Sequence, residues 1–365
     1  MSNHNLSIEL LPEFGWCLTN QNVYGPGSVF QGAVKLELSK DTCVEKIRLG
    51  FTAIESIPPY EVCPGSVRSS KDAIFTTQQT LWESSDKVSL LGKQEYNYPF
   101  IIQMPMIQFP PSFKDQSYSC QFQLIAVVDL YKQDNIKCAL PILYSPFVET
   151  RALKIPLMKM MKVKNLTAKV RLVNQDFVPG DVIDLKLHVD NESKKKNLQS
   201  VTATMQLKQI IHNNKFDDVP DRINIITSIS HKLLLINSPH QENQYYCDGD
   251  LKLKLPEDLV PSFEYSKLAS VSYVLCVFVE KSGPLGGIWN YRVDIEEIPV
   301  KIGTMGHGIR ASDELKLYSK LESNTTTLLP RFLKEIEYED ALPLYEPSQL
   351  PTYDVATTMP MIESL

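Results

Sequence analysis

Side chains able to do covalent or metal chemistry are scattered through this chain rather than grouped. The six histidines, His4, His188, His212, His231, His240 and His307, include no pair at the i, i+4 spacing that lets one helix face hold a metal. His188 falls on the polar side of an alternating run and reads as a solvated strand residue. The seven cysteines (Cys17, Cys43, Cys63, Cys120, Cys138, Cys247 and Cys276) form no Cys-x-x-Cys pair, and their odd number fits reduced thiols of a cytosolic chain. No Gly-x-Ser-x-Gly nucleophile turn is present. Gly303 to Gly308 lacks the strand-turn-helix frame of a phosphate loop and reads as a linker. Catalysis, a cofactor and a resident metal are therefore not expected, and the chemistry to look for is binding.

That chemistry is concentrated near the end of the sequence. Leu342-Pro343-Leu344-Tyr345 and Leu350-Pro351-Thr352-Tyr353 repeat a Leu-Pro-x-Tyr pattern with the tyrosines eight positions apart, each followed by an acid, Glu346 and Asp354. Pro343, Pro347 and Pro351 exclude a helix and favour an extended polyproline-like backbone with little freedom left to lose on binding. Aromatic-lined grooves recognise such ligands by clasping proline and tyrosine together. At about 3.1 Å per residue the tyrosines stand roughly 25 Å apart, far enough for two linked grooves to be engaged at once. The internal stretches Pro58-Pro59-Tyr60 and Pro110-Pro111-Ser112-Phe113 lack the spacer or the tyrosine, and read as structural.

The elements that must carry these motifs are strands. Val34, Leu36 and Leu38 alternate with Lys35 and Glu37; Ile47, Leu49 and Phe51 with Arg48 and Gly50. Ile183 to Val189 and Val201 to Leu207 repeat the period of two, while Val271 to Val279 is apolar on both faces, as a central strand or one covered at an interface would be. The expected class is all-β, built as antiparallel β-sandwiches. A Pro-Gly turn before a strand occurs twice, at Pro26-Gly27 and at Pro179-Gly180, 153 residues apart, which predicts two sandwiches. The boundaries are set at 1–155 and 156–303, with the basic segment Arg151 to Lys164 as the connection and 304–365 as a flexible tail. Ser56 to Trp82, Asn213 to Arg222 and Asn237 to Asn243 read as loops, and Arg331 to Asp340 as a short helix after Pro330.

A length of 365 residues, 43% hydrophobic and 22% charged, is that of a globular chain with room for two domains. A net charge of −6 argues against a general nucleic-acid binder. No apolar run reaches the length of a membrane span, and the start has no leader pattern. Asn165, Asn191 and Asn324 open glycosylation patterns that a cytosolic chain would leave unused. Lys194, Lys195 and Lys196 fall in an expected hairpin tip that could touch anionic lipid headgroups or acidic cargo tails.

Taken together, these pieces resemble the arrestin superfamily, most closely its α-arrestin branch of arrestin-domain-containing proteins and arrestin-related trafficking adaptors. Val23 through Val34 is similar to the opening of an arrestin N-domain, and Phe177 through Ile183 with Asp190 to Ser193 to the opening of the C-domain. Leu255 through Phe263 with Val271 to Leu275 resembles that domain's proline-rich turn and later strand, and Ile298 through Gly303 its closing strand. The likeness covers about residues 7 to 303. It implies two immunoglobulin-like sandwiches and a scaffold without catalysis or cofactor, cytoplasmic and recruited to plasma membrane and endosomes.

The resemblance also gives the tail a meaning. α-Arrestins bind the WW domains of HECT-type ubiquitin ligases through proline-tyrosine motifs and bring the ligase to membrane transporters or receptors, for ubiquitylation, endocytosis and endosomal sorting. Carried over, the WW-binding residues are Leu342, Pro343, Tyr345, Leu350, Pro351 and Tyr353. Leucine stands where the commonest form has its first proline, so each site should be weaker alone and the pair should act through avidity. No counterpart of the buried charged cluster of visual arrestins is identified in the sequence. Two other readings stand beside this one: an arrestin-fold scaffold without a ligase, coat-like or pH-sensing, and a hydrolase on a β-sandwich, which needs a nucleophile beside a base in a pocket.

Overall fold

A computed structural model of the chain describes residues 4–12, 16–18, 21–192, 200–239, 244–281, 291–321 and 329–334. Apart from one short 3-10 turn at Tyr318–Lys320, its regular elements beyond the first dozen residues are strands. Two sheets are built mainly from the first part of the chain, one of them with an added strand from near the end. One runs in the order Asn5–Leu10, Val29–Glu37, Glu95–Gln103, Arg331–Leu333. The other runs Trp16–Leu18, Gln21–Tyr24, Ile136–Tyr144, Ser119–Leu130, Thr42–Cys63, Ser66–Glu83. Two further sheets come from residues 157–302. The first is ordered Leu157–Val163, Leu166–Leu172, Val182–Glu192, Gln244–Lys254, Ile236–Asn237, and the second Asp176–Phe177, Ile298–Ile302, Ala269–Lys281, Ser200–Asn213, Arg222–Leu234. Inward residues of alternating strands, Val34, Leu49, Leu124, Leu185, Leu207 and Leu275 among them, are fully buried and build sandwich cores. Ala269–Lys281 is central in its sheet, flanked by Ser200–Asn213 on one side and by Ile298–Ile302 and Tyr291–Asp294 on the other.

The repeated Pro-Gly turns are repeated in space. Gly27 and Gly180 have φ of +71° and +85°, the left-handed region that glycine enters without strain. Gly27 donates its N–H to Pro105 O and Gly180 to Pro256 O, each at 3.1 Å. The short strand before each turn runs parallel to a closing strand: Val23 and Tyr24 lie beside Leu143 and Tyr144, and Asp176 and Phe177 beside Lys301 and Ile302.

Several loop and helix expectations are corrected. Ser56 to Trp82 belongs to a long hairpin of Thr42–Cys63 and Ser66–Glu83, closed at Gly65, whose φ is +84°. Its outer half overhangs the core, so no apolar face imposes alternation, and the ladder holds it instead. Pro58 and Pro59 sit where the register shifts between Ile57 and Tyr60, the bulge position a strand proline tolerates. The connection expected through Lys164 is already a strand from Leu157 to Val163, an edge strand whose exposed methionines hide the period of two. Arg331–Leu333 is not helical but pairs with Ile101 to Gln103, because an open sheet edge satisfies its backbone at once. Of the expected tail, residues 304–321 and 329–334 are described, and the first of these returns to the opening sandwich, where Lys316–Leu317 runs parallel to Ile107–Gln108. Residues 335–365 lie outside the described residues.

Candidate functional site

Among the described residues, one buried polar cluster lies where the two halves of the chain meet. Glu55 lies on the same strand parity as Ile47, Leu49, Phe51, Ala53 and Ile57, and so points into the interior, with no exposed surface. Its Oε2 accepts the hydroxyl of Tyr118 at 3.1 Å and that of Ser266, from the second half of the chain. Ser266 Oγ accepts in turn from the N–H of Leu268 at 3.1 Å and Ala269 at 3.2 Å, which fixes the serine. Glu55 Oε1 has no hydrogen-bond partner among the described residues. Burial pushes the Glu55 carboxyl above its ordinary range; the Ser266 and Tyr118 hydrogen bonds pull it back, Asp72 raises it and Lys267 lowers it. Burial also pushes the Tyr118 hydroxyl and the Cys120 thiol well up, so neither is an activated nucleophile.

Tyr318 closes this site from the returning segment. It is buried, its ring centroid stands 5.8 Å from that of Phe109, and the Lys267 ammonium lies 4.9 Å from the ring centre. Aromatic contacts continue through Phe109, Phe75 and Phe51 into the first sandwich, and through Tyr118, Phe263 and Tyr265 into the second part of the chain.

The segment leading to Tyr318 acts as a strap. Thr304 Oγ1 donates to Pro146 O at 2.7 Å and accepts the Val148 N–H at 2.8 Å, while Thr150 Oγ1 donates to Met305 O at 3.1 Å. Glu149 accepts the Ala311 N–H at 2.8 Å and pairs with Arg310 at 2.7 Å, contacts that hold its carboxyl below the usual range. Arg151 donates its N–H to the buried Asp176 at 2.7 Å and adds its guanidinium at 3.1 Å. On the outside, the long hairpin reaches the second half: Arg68 pairs with Asp218 at 2.8 Å and Lys215 with Asp72 at 3.0 Å. These last pairs are exposed, so they orient more than they stabilise.

Two clefts flank the junction. One, of 760 Å³, is lined by Tyr144, Ser145, Pro179, Leu259, Pro261 and Gly306. The other, of 840 Å³, includes Gln108, Glu149, His212, Tyr265, Ser272 and Lys301. In it, His212 Nδ1 stands 2.7 Å from Asp221 Oδ2, and Nε2 2.9 Å from Ser272 Oγ, the nucleophile–base pair that a hydrolase would need. Ser272, however, lies in extended backbone opposite Ile210. Strand N–H groups point along the sheet toward neighbouring strands, so no donor pair is aimed at an oxyanion beside a side chain that stands off the sheet. The trio fastens the Asn213–Arg222 turn to the sheet.

The residues expected from sequence to bind partners, Leu342, Pro343, Tyr345, Leu350, Pro351 and Tyr353, lie outside the described residues, as do Lys194, Lys195 and Lys196. The junction was missed by sequence reasoning, although one signal was present: Glu55 is a charged residue on the inward parity of a strand. No helix among the described residues is long and apolar enough to cross a membrane, and no group of three or more metal-ligating side chains occurs among them.

The architecture defines the class: β-sandwiches joined through a buried polar junction and a returning strap. Residues 162–307 match the family model described as arrestin (or S-antigen), C-terminal domain. That range takes in most of the sheets of the second half, from within Leu157–Val163 to beyond Ile298–Ile302. The match supports the arrestin family for this chain, and with it an arrestin-like trafficking or signalling adaptor. Arrestin-family proteins are generally non-catalytic adaptors. No curated protein matches the chain.

Proposed function

We propose that this chain is an α-arrestin-type adaptor that recruits a HECT-type ubiquitin ligase to membrane transporters or receptors, working in the cytoplasm and at plasma membrane and endosomes. The observation that carries the reading is the doubled Leu-Pro-x-Tyr, with Tyr345 and Tyr353 placed after an arrestin C-terminal domain. The returning strap supports it: the chain is tied to the first sandwich as far as Leu333, and the motifs begin nine residues later, at Leu342. Nine residues span at most about 30 Å, so a ligase module held there works close to whatever cargo the sandwiches hold. The test is capture of tandem WW domains by the full chain and by Tyr345→Ala with Tyr353→Ala. Loss of capture in the double variant is expected, with each single variant weakened; equal capture by wild type and double variant overturns the reading.

A second reading, a pH-sensing arrestin scaffold without a ligase, is favoured by one observation, the buried Glu55 carboxyl at the junction. The two readings separate on a truncation placed after Lys334. Cutting at 303 would not serve, because it also removes Tyr318 and the strap. A chain ending at Lys334 keeps partner binding and cargo sorting if no ligase is used, and loses sorting if the tail recruits one.

A further inference from the structure

The strand Leu157–Val163 ends its sheet: it pairs with Leu166–Leu172 on one side, and its outer edge makes no backbone hydrogen bond among the described residues. An open edge is a template for another extended chain. This one is unusual in what it displays. Leu153 is 79% exposed, Met158 73% and Met160 64%, beside the exposed Ile155 and Met161. Met158 stands across from Arg171 and Met160 from Lys169, so methionines and cations share one sheet face.

Charge narrows the occupant. From Arg151 to Gln175 the chain carries seven basic residues and no acid, although the protein as a whole has a net charge of −6. Lys154 and Arg171 make no ion pair among the described residues. Lys159 pairs with Glu296 at 2.7 Å, Lys162 with Glu192 at 3.0 Å and Lys169 with Asp190 at 3.1 Å, and each pair leaves at least one partner well exposed and free to exchange. A second copy would bring one basic edge against another. A bilayer interior could not satisfy the open backbone groups. An extended acidic peptide meets every requirement: its backbone completes the ladder, its acids meet Lys154, Lys162 and Arg171, and its apolar side chains lie on methionines that adapt to varied shapes.

We propose that the edge strand Leu157–Val163 is a docking site for an acidic, extended peptide segment of a partner protein, added to the sheet as a further strand. This goes beyond the ligase reading and does not depend on it, since the tail tyrosines take no part. The test uses the full chain and three labelled nine-residue peptides: one alternating glutamate with valine, one with glutamine in place of glutamate, and one keeping the acids but N-methylated at alternate amides. Fluorescence anisotropy should show binding of the acidic peptide alone, at least tenfold stronger than either control. Lys154→Glu with Arg171→Glu, both exposed and outside the core, should weaken it at least tenfold, and the Tyr345→Ala, Tyr353→Ala chain should bind it unchanged. Equal binding of the N-methylated peptide would mean charge attraction without strand addition and would overturn the proposal. So would uptake by phosphatidylserine vesicles without peptide binding, self-association through this edge in sedimentation, or acidic-peptide binding seen only after residues 335–365 are removed, which would assign the edge to the chain's own acidic tail.

Discussion

Glu55→Gln isolates the buried carboxyl at the junction. In the unfolded chain this group titrates at its ordinary value of 4.5; in the folded chain burial raises it, with Asp72 adding to the shift and Lys267, Ser266 and Tyr118 opposing it. Between those two values the folded protein holds a proton that the unfolded chain has released. Its stability therefore falls as pH rises above 4.5, by up to about 1.4 kcal/mol per pH unit, and levels off once the folded carboxyl has ionised. Glutamine keeps the volume and an oxygen for Tyr118 and Ser266, but does not titrate. It places an amide N–H where the protonated carboxyl's own O–H, on Oε1, also lacks an acceptor, so this term largely cancels between the two proteins and does not change with pH. Urea denaturation of both proteins at pH 5, 6 and 7 should show wild-type stability falling relative to the variant by up to about 1.4 kcal/mol per unit for as long as the folded group stays protonated. Taking the difference between the two proteins cancels every other titrating group. A difference that stays the same at all three values would refute a buried, proton-holding Glu55.

Three other perturbations test the frame around it. Gly27→Ala and Gly180→Ala both force alanine to a positive φ at about 1–2 kcal/mol; at 180 the Cβ meets Glu257 Cγ at an ordinary 3.5 Å, and at 27 it meets the outer part of the flexible, half-buried Met106 side chain, which can swing aside, so thermal denaturation should show drops of similar size. Tyr318→Ala removes a buried ring from Phe109 and Lys267 and should cost about 3 kcal/mol by denaturation, while Arg68→Ala, which breaks an exposed pair, should leave the midpoint where it is. A chain ending at Gly303 should melt lower than one ending at Lys334, because the strap hydrogen bonds of Thr304 and Ala311 and the Tyr318 ring go with it; equal melting would show that the strap carries no stability.

Legibility in this sequence followed the presence of a core. Where a strand has one buried face, as in Val29–Glu37 or Val182–Glu192, the period of two is written in residue type. The duplicated turn was legible for a different reason, since only glycine relaxes at a φ of +71° or +85° and both copies announce it with Pro-Gly. The outer half of the long hairpin was not legible, because nothing apolar packs against it. Nor was Leu157–Val163, where exposed methionines replace the polar face that marks a wetted strand.

The junction shows a third case, in which the local pattern was readable and its meaning was not. Parity alone puts Glu55 inside, but no local rule brings Ser266 to it across 211 positions, or Tyr318 from a segment that reads as the start of a tail. A buried acid with one unmatched oxygen is a standing cost, and hydroxyls from two distant parts of the chain meet it at one point. The sandwiches can separate only by exposing or stranding that oxygen pair, so the same acid that weakens the fold at higher pH also specifies how its halves sit together.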